Sequence, residues 1–157
     1  MSSFSIQLLK GINEISEKSW DMQLPPCKNP FLSWRFLHAC EESGSSSPDK
    51  GWTPKHLILR DNNKNHIGSL PLYLKSHSQG EYVFDHGWAQ ALERVGENYY
   101  PKLQCSIPFT PVSGPRLLTK GEKNKAFLST EIIKLCEKWG LSGIHFTFLQ
   151  DEDLNIL

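Results

Sequence analysis

One stretch, residues 68–116, constrains the fold of this chain more than any other: GSLPLYLKSHSQGEYVFDHGWAQALERVGENYYPKLQCSIPFTPVSGPR. Pro101, Pro108, Pro111 and Pro115 punctuate it as stiff turns. Among them Tyr82, Phe84, Trp88, Tyr99, Tyr100 and Phe109 share a short span with His77, Glu81, Asp85 and His86. Aromatic surface mixed this closely with ionisable groups suits the wall of a pocket. An ordinary core with stiff turns satisfies the same composition, and at this level both stand.

The 157 residues suit one domain, residues 1–157, with enough chain to bury a real core. Seventeen Lys and Arg balance seventeen Asp and Glu, so no basic stripe is available to neutralise phosphates, and nucleic-acid binding is disfavoured. The four cysteines, Cys27, Cys40, Cys105 and Cys136, have long irregular gaps with no CxxC pair. That spacing argues against a zinc site or a redox motif, and no metal is expected. Cys40 and Cys136 fall on apolar helix faces and read as small buried hydrophobes. The opening MSSFSIQLLKG lacks a basic segment and a long apolar run, so no signal peptide is expected. No window approaches the ~18 apolar residues of a membrane span. The expectation is a reduced, cytoplasmic, soluble protein.

Residues 4–9 alternate apolar and polar and read as a strand. Asn13 is placed to cap a helix over 14–23, stopped by Pro25 and Pro26. Ser33 is placed to cap a second helix over 34–43, with Gly44 as its stop. Residues 55–60 and 67–75 form a hairpin around the polar turn 61–65. After a turn at 76–80, residues 81–85 read as a third strand and 88–96 as a helix. Residues 103–107 are a strand, 120–139 the longest helix, and 143–149 the last strand. The order β-α-α-β-β-β-α-β-α-β predicts a mixed α/β (α+β) domain, with a central mixed sheet flanked by helices.

The strings PLYLKSHSQGEYVFDHGWA, YYPKL and PFTPVSGPRLL resemble the FemAB-like family, relatives of the GNAT N-acyltransferases named for peptidoglycan biosynthesis or recognition. NPFLSWRFLHACEESG and GWTPKHLILRD resemble the opening of the same family. The resemblance implies an acyl-CoA N-acyltransferase (GNAT-like) fold. It implies transfer of an acyl or aminoacyl group to an amine, with a cell-wall precursor as acceptor. Members of the family are typically longer, so the resemblance is to their N-terminal part. A partner chain or a second copy would then supply what the remainder contributes. Two rival expectations are a non-catalytic peptidoglycan-recognition module and a truncated subunit.

Four constellations carry the candidate chemistry. At residues 84–88 a strand turns into a helix, and a helix start presents unpaired N–H groups that hold anions. By the resemblance, His86 and Gly87 would grip the pyrophosphate of acyl-CoA, although the glycine-rich loop of those enzymes is missing. The alternative is that Asp85 caps the helix. Glu81, Asp85 and His86 are the candidate catalytic acid and base groups, with His77 in reach of Glu81. Their alternative is solvated or hydrogen-bonded turn residues. Tyr99 and Tyr100, with Tyr82, Trp88 and His77, are candidate substrate-binding groups. Arg116, after a rigid proline-rich loop, is a candidate partner for a phosphate or carboxylate, or a solvated structural arginine. P-loop, GxSxG, HExxH and dinucleotide signatures are missing.

Overall fold

The computed structural model describes residues 4–26, 29–82 and 85–157. Its framework is one long antiparallel hairpin. On one arm lie β2 (Trp52–Pro54) and β3 (Leu57–Arg60), and on the other β4 (His66–Leu70) and β5 (Leu72–Lys75). Trp52 pairs with Lys75, Pro54 with Tyr73, Leu57 with Leu70 and Leu59 with Gly68, so a single register runs through both halves. Pro71 interrupts it, because a proline has no N–H to give the ladder. There the Lys55 N–H still reaches the Leu72 carbonyl at 2.8 Å, and the Leu72 N–H turns to Nδ1 of His56 at 3.2 Å. At the hairpin tip, Asp61 Oδ1 accepts the N–H groups of Asn63 and Asn65, each at 2.9 Å, which closes the expected polar turn.

The break divides the strands between two four-stranded sheets. One runs β1-β3-β4-β7, with β1 at Ser5–Leu8 and β7 at Leu118–Thr119. The other runs β2-β5-β6-β8, with β6 at Lys102–Cys105 and β8 at Ile144–Phe146. All pairings are antiparallel except β6 with β8. The mixed α/β class is as expected, but the sheet is double, because Pro71 splits what the sequence shows as one strand over 67–75. Gly68 sits where β4 and β7 approach closely: a Cβ there would lie 2.8 Å from Thr119 Cβ.

Helices cover both faces. The crossover from β7 to β8 is α4 (Glu122–Lys138), whose Leu128, Ile132 and Cys136 recur every four residues and are buried. They pack on Leu57, Leu59, Leu70, Leu72 and Leu103. On the opposite face Ile58, Ile107 and Leu118 pack with Leu9, Ile12 and Trp20, beneath α1 (Glu17–Asp21) and α2 (Trp34–Glu42). Leu57 and Leu59 thus look one way and Ile58 the other. This explains why β3 reads as an unbroken apolar run rather than an alternation. The α2 helix matches its expectation, with Ser33 Oγ accepting the Phe36 N–H.

Other expectations need correction. The helix placed at 14–23 is a 3-10 turn at Ile12–Glu14 followed by the short α1. Ile15 and Ser16 are extended, and Ser16 rather than Asn13 caps α1 by accepting the Ser19 N–H. The kink lets both Ile12 and Trp20 reach the interior, where Trp20 Nε1 donates to the Leu32 carbonyl at 2.9 Å. The strand placed at 81–85 is not seen: Glu81, Tyr82 and Asp85 are irregular, and Val83 and Phe84 lie outside the described residues. The helix expected at 88–96 is α3, His86–Arg94, and none of its residues is buried. The short helix α5 (Asp151–Leu154) was not foreseen.

If this packing holds, Leu128→Ala removes a fully buried side chain and should cost about 2–5 kcal/mol. Leu135→Ala, at the half-buried rim of the same stripe, should cost distinctly less. Urea melts of both variants test this. A Leu128→Ala loss of only about 0.5 kcal/mol, that of a surface change, would contradict the α4 packing.

Candidate functional site

The central observation is a pair of buried lysines. Lys75 on β5 and Lys102 on β6 are register partners, and both lie in the interior. Two adjacent ammonium groups repel, and neither can stay buried and charged without a counter-ion. The segment after β5 supplies both. Lys75 Nζ pairs with Glu81 Oε1, and Lys102 Nζ with Asp85 Oδ2. Lys75 Nζ also lies 3.7 Å from the centre of the Trp52 ring.

Asp85 is the hub of a wider network. The Tyr100 hydroxyl lies 2.6 Å from its Oδ1 and the Tyr99 hydroxyl 3.1 Å from its Oδ2. Burial alone would raise this carboxyl. Hydrogen bonds from Lys102 and Tyr100 outweigh it and hold the group well below the ordinary carboxylate range. An ionised carboxylate only accepts, so both tyrosines donate to it. Ser78 Oγ then donates to the Tyr100 hydroxyl at 2.6 Å. Burial, together with the Asp85 charge, pushes both phenols up, so they remain protonated donors. On the far side Lys102 Nζ meets Tyr99 Oη at 3.0 Å and His145 Nδ1 at 3.3 Å. Burial and the neighbouring Lys102 lower the His145 pKa. The ammonium can only donate, so Nδ1 accepts and the imidazole proton sits on Nε2.

Two openings flank this network. The first is a groove of about 320 Å³ between the 76–80 turn and α3, lined by His77, Ser78, His86, Ala89, Glu93 and Tyr100. The second is a narrow cleft of about 20 Å³ beyond the C-terminal ends of the parallel strands β6 and β8. Trp52, Glu81, Gln104, Ser106, Phe109 and Phe148 are among its walls. Crevices outside the carboxyl ends of parallel strands are common ligand positions. Phe109 and Phe148 both hold left-handed backbone, with φ of 53° and 54°. Such geometry disfavours a bulky side chain by about 1–3 kcal/mol each, and strain of this kind concentrates at ligand sites.

The site residues expected from sequence therefore separate. Glu81 and Asp85 converge on the two lysines, Tyr99 and Tyr100 on Asp85, and His77, His86 and Tyr100 on one groove. His77 does not reach Glu81; its Nδ1 accepts the Gln79 N–H at 3.3 Å. Asp85 stands at the start of α3, but its side chain makes no capping bond, because Lys102 and the tyrosines claim it. Gly87 faces open space, with nothing within 4 Å of an added Cβ. Tyr82 and Trp88 are 71% and 69% exposed and stand outside the network. Arg116 is fully buried, and its guanidinium donates to the carbonyls of Thr147, Gly114, Pro115 and Val112. It staples the 108–115 loop to the end of β8, and so joins two walls of the cleft.

Lys75, Lys102, Ser78, His145 and Trp52 were not singled out from sequence. A lysine at a strand end normally extends its ammonium to water, so LYLK and KLQC gave no sign of burial. The signal was present only in combination, as two strand-end lysines with two acidic residues between them in the chain.

Among the described residues no group of three or more His, Cys, Asp or Glu could hold a metal ion, and no helix is long and apolar enough to cross a membrane. The described cysteines, Cys40, Cys105 and Cys136, are free thiols. The family model for FemAB-like proteins of peptidoglycan biosynthesis/recognition matches residues 11–157. The chain therefore belongs to the FemAB-like family. No curated protein and no solved structure matches it.

The Asp85–Lys102 pair makes a signed prediction. The Asp85 pKa is depressed on folding, so its stabilisation is fully present above the unfolded value of about 3.9 and is lost as pH falls through the folded value. Asp85→Asn leaves Lys102 buried without a counter-charge and should destabilise by roughly 3–5 kcal/mol at neutral pH. The gap between the two proteins should narrow below about pH 4. Urea melts from pH 3 to 7 read both effects. Parallel pH curves would refute an ionised Asp85.

Proposed function

We propose that this chain is a single domain of the acyl-CoA N-acyltransferase type that binds an amine-bearing cell-wall precursor for acyl or aminoacyl transfer, with neither Glu81 nor Asp85 serving as the catalytic base. The observation that carries this reading is the state of the two carboxylates. A general base needs a free lone pair and a pKa near the working pH. Glu81 is tied to Lys75, and Asp85 is held ionised by Lys102 and two tyrosines. What remains open to a ligand is the groove beside Tyr100, where aromatic, imidazole and amide groups suit a peptide or sugar. Binding in the cytoplasm is consistent with the free described thiols. A partner chain or a second copy would complete the transfer site.

A second reading has one observation in its favour. His86 and Gly87 begin α3, and its first N–H groups receive no side-chain cap from Asp85. Lys102 offsets the Asp85 charge, so a phosphate there would meet less repulsion than the sequence suggests. On this reading the chain grips acyl-CoA itself and acyl transfer takes place on it.

Calorimetric titration separates the two. The first reading expects binding of a muropeptide, no turnover, and little or no heat with acetyl-CoA. Ala89→Trp fills the groove from α3 without replacing any residue of the Asp85 network, and should abolish muropeptide binding. Micromolar acetyl-CoA binding that weakens in Gly87→Val would establish the second reading instead.

A further inference from the structure

The narrow cleft beyond β6 and β8 shares Glu81 with the network. Trp52 is 1% exposed and Ser106 3% exposed, and both line the cleft. Trp52 Nε1 and Ser106 Oγ are buried and find no hydrogen-bond partner among the described residues. Buried polar groups in native proteins are nearly always satisfied, so two orphans on the walls of one cleft call for a shared explanation. By contrast, Trp20 Nε1 and Trp34 Nε1 both donate to backbone carbonyls. The Trp52 ring is also fixed: Tyr73 packs edge-on against it, Lys75 Nζ lies over it, and Phe109 lies 5.4 Å away. The indole N–H therefore cannot swing away to find a partner elsewhere.

We infer that this cleft is a subsite for the acyl oxygen of a secondary amide, with Trp52 Nε1 and Ser106 Oγ as its donors. The indole N–H donates only, so the ligand atom must be an acceptor. A volume of about 20 Å³ takes one group the size of a water, such as a carbonyl oxygen, and no larger headgroup. Glu81, the charged group on the wall, is already paired with Lys75, so the cleft offers a carboxylate no free cation and suits a neutral carbonyl. Phe109, Pro111 and Phe148 give the alkyl part of an acetamido or alanyl group an apolar wall. The backbone strain at Phe109 and Phe148, held by Arg116 on Val112 and Thr147 and by the Gly114 N–H on the Phe148 carbonyl, keeps those rings where they are. Two sources of this chemistry fit, an N-acetylated amino sugar and a peptide. The inference rests on the proposed precursor only for the choice between these probes.

The test follows the indole N–H resonances of the full chain by NMR, with Trp52→Phe assigning the Trp52 signal. The probes are N-acetylglucosamine, N-acetyl-alanine methylamide and, as a control without the acyl group, glucosamine. A saturable shift of the Trp52 signal with either acyl probe and none with glucosamine is expected; which probe acts identifies the source. Ser106→Ala should weaken binding about tenfold, and this also carries the test if Trp52→Phe fails to fold. No shift with either acyl probe, or an equal shift with glucosamine, would overturn the subsite. Muropeptide binding that leaves the Trp52 signal unmoved sinks this inference and spares the proposed function. An acyl-probe response without muropeptide binding does the reverse.

Discussion

Two ammonium groups facing each other across a strand pair set the terms for the functional half of this molecule. Lys75 and Lys102 are register partners in adjacent strands, and like charges directly opposed are destabilising even on a solvated sheet. In the interior the pair survives only because Glu81 and Asp85 are brought to it. That requirement shapes the connection between β5 and α3. It must bring Glu81 back over the sheet after the 76–80 turn and start α3 with the Asp85 side chain turned inward. The helix is left without a buried residue of its own. Among the described contacts, it is held by its first end more than by its face.

A second constraint is the missing N–H of Pro71. It lets one hairpin serve two sheets: Leu57, Leu59 and Leu70 on the first and Leu72 and Leu103 on the second share the apolar core under α4, and the second also carries Lys75, Lys102 and Trp52. His56 repairs the break by accepting the Leu72 N–H while its Nε2 meets Glu41 at 2.8 Å. The core and the polar network therefore share strands without sharing residues. Burial of these leucines, at about 1.5–3 kcal/mol each, supports a polar network that by itself gives little net stability.

The legible parts of the sequence were those decided by local patterns. Ser33 and Gly44 bracket α2, the four-residue spacing of Leu128, Ile132 and Cys136 gives α4, and Asp61 closes the hairpin turn. The α+β class and the family follow from the same strings. What could not be read depended on partners distant in the chain. Residues 81–85 look like a strand because Tyr82, Val83 and Phe84 are strand-favouring types, yet two lysines elsewhere claim Glu81 and Asp85. Asn13 is the cap expected from sequence, and the role falls to Ser16 because Ile12 and Trp20 must both be buried. Arg116 looks like a ligand-binding arginine until four backbone carbonyls surround it.

The electrostatics also decide what kind of work the site can do. Asp85 accepts from Lys102, Tyr99 and Tyr100, and a carboxylate so engaged has a depressed pKa and little capacity to take a further proton. The network is thus better suited to holding geometry than to moving charge. Its product is the position of Tyr100, whose hydroxyl is fixed from inside by Asp85 and from the turn by Ser78, at the wall of the α3 groove. The cleft around Trp52 is pinned in a comparable way, by Lys75 above the ring and by Arg116 behind the loop. Two preorganised recesses, each backed by a buried cation whose charge or donors are already satisfied, present polar and aromatic walls without a free positive charge to attract anions. A site built to bind phosphate would leave such cations open to the solvent.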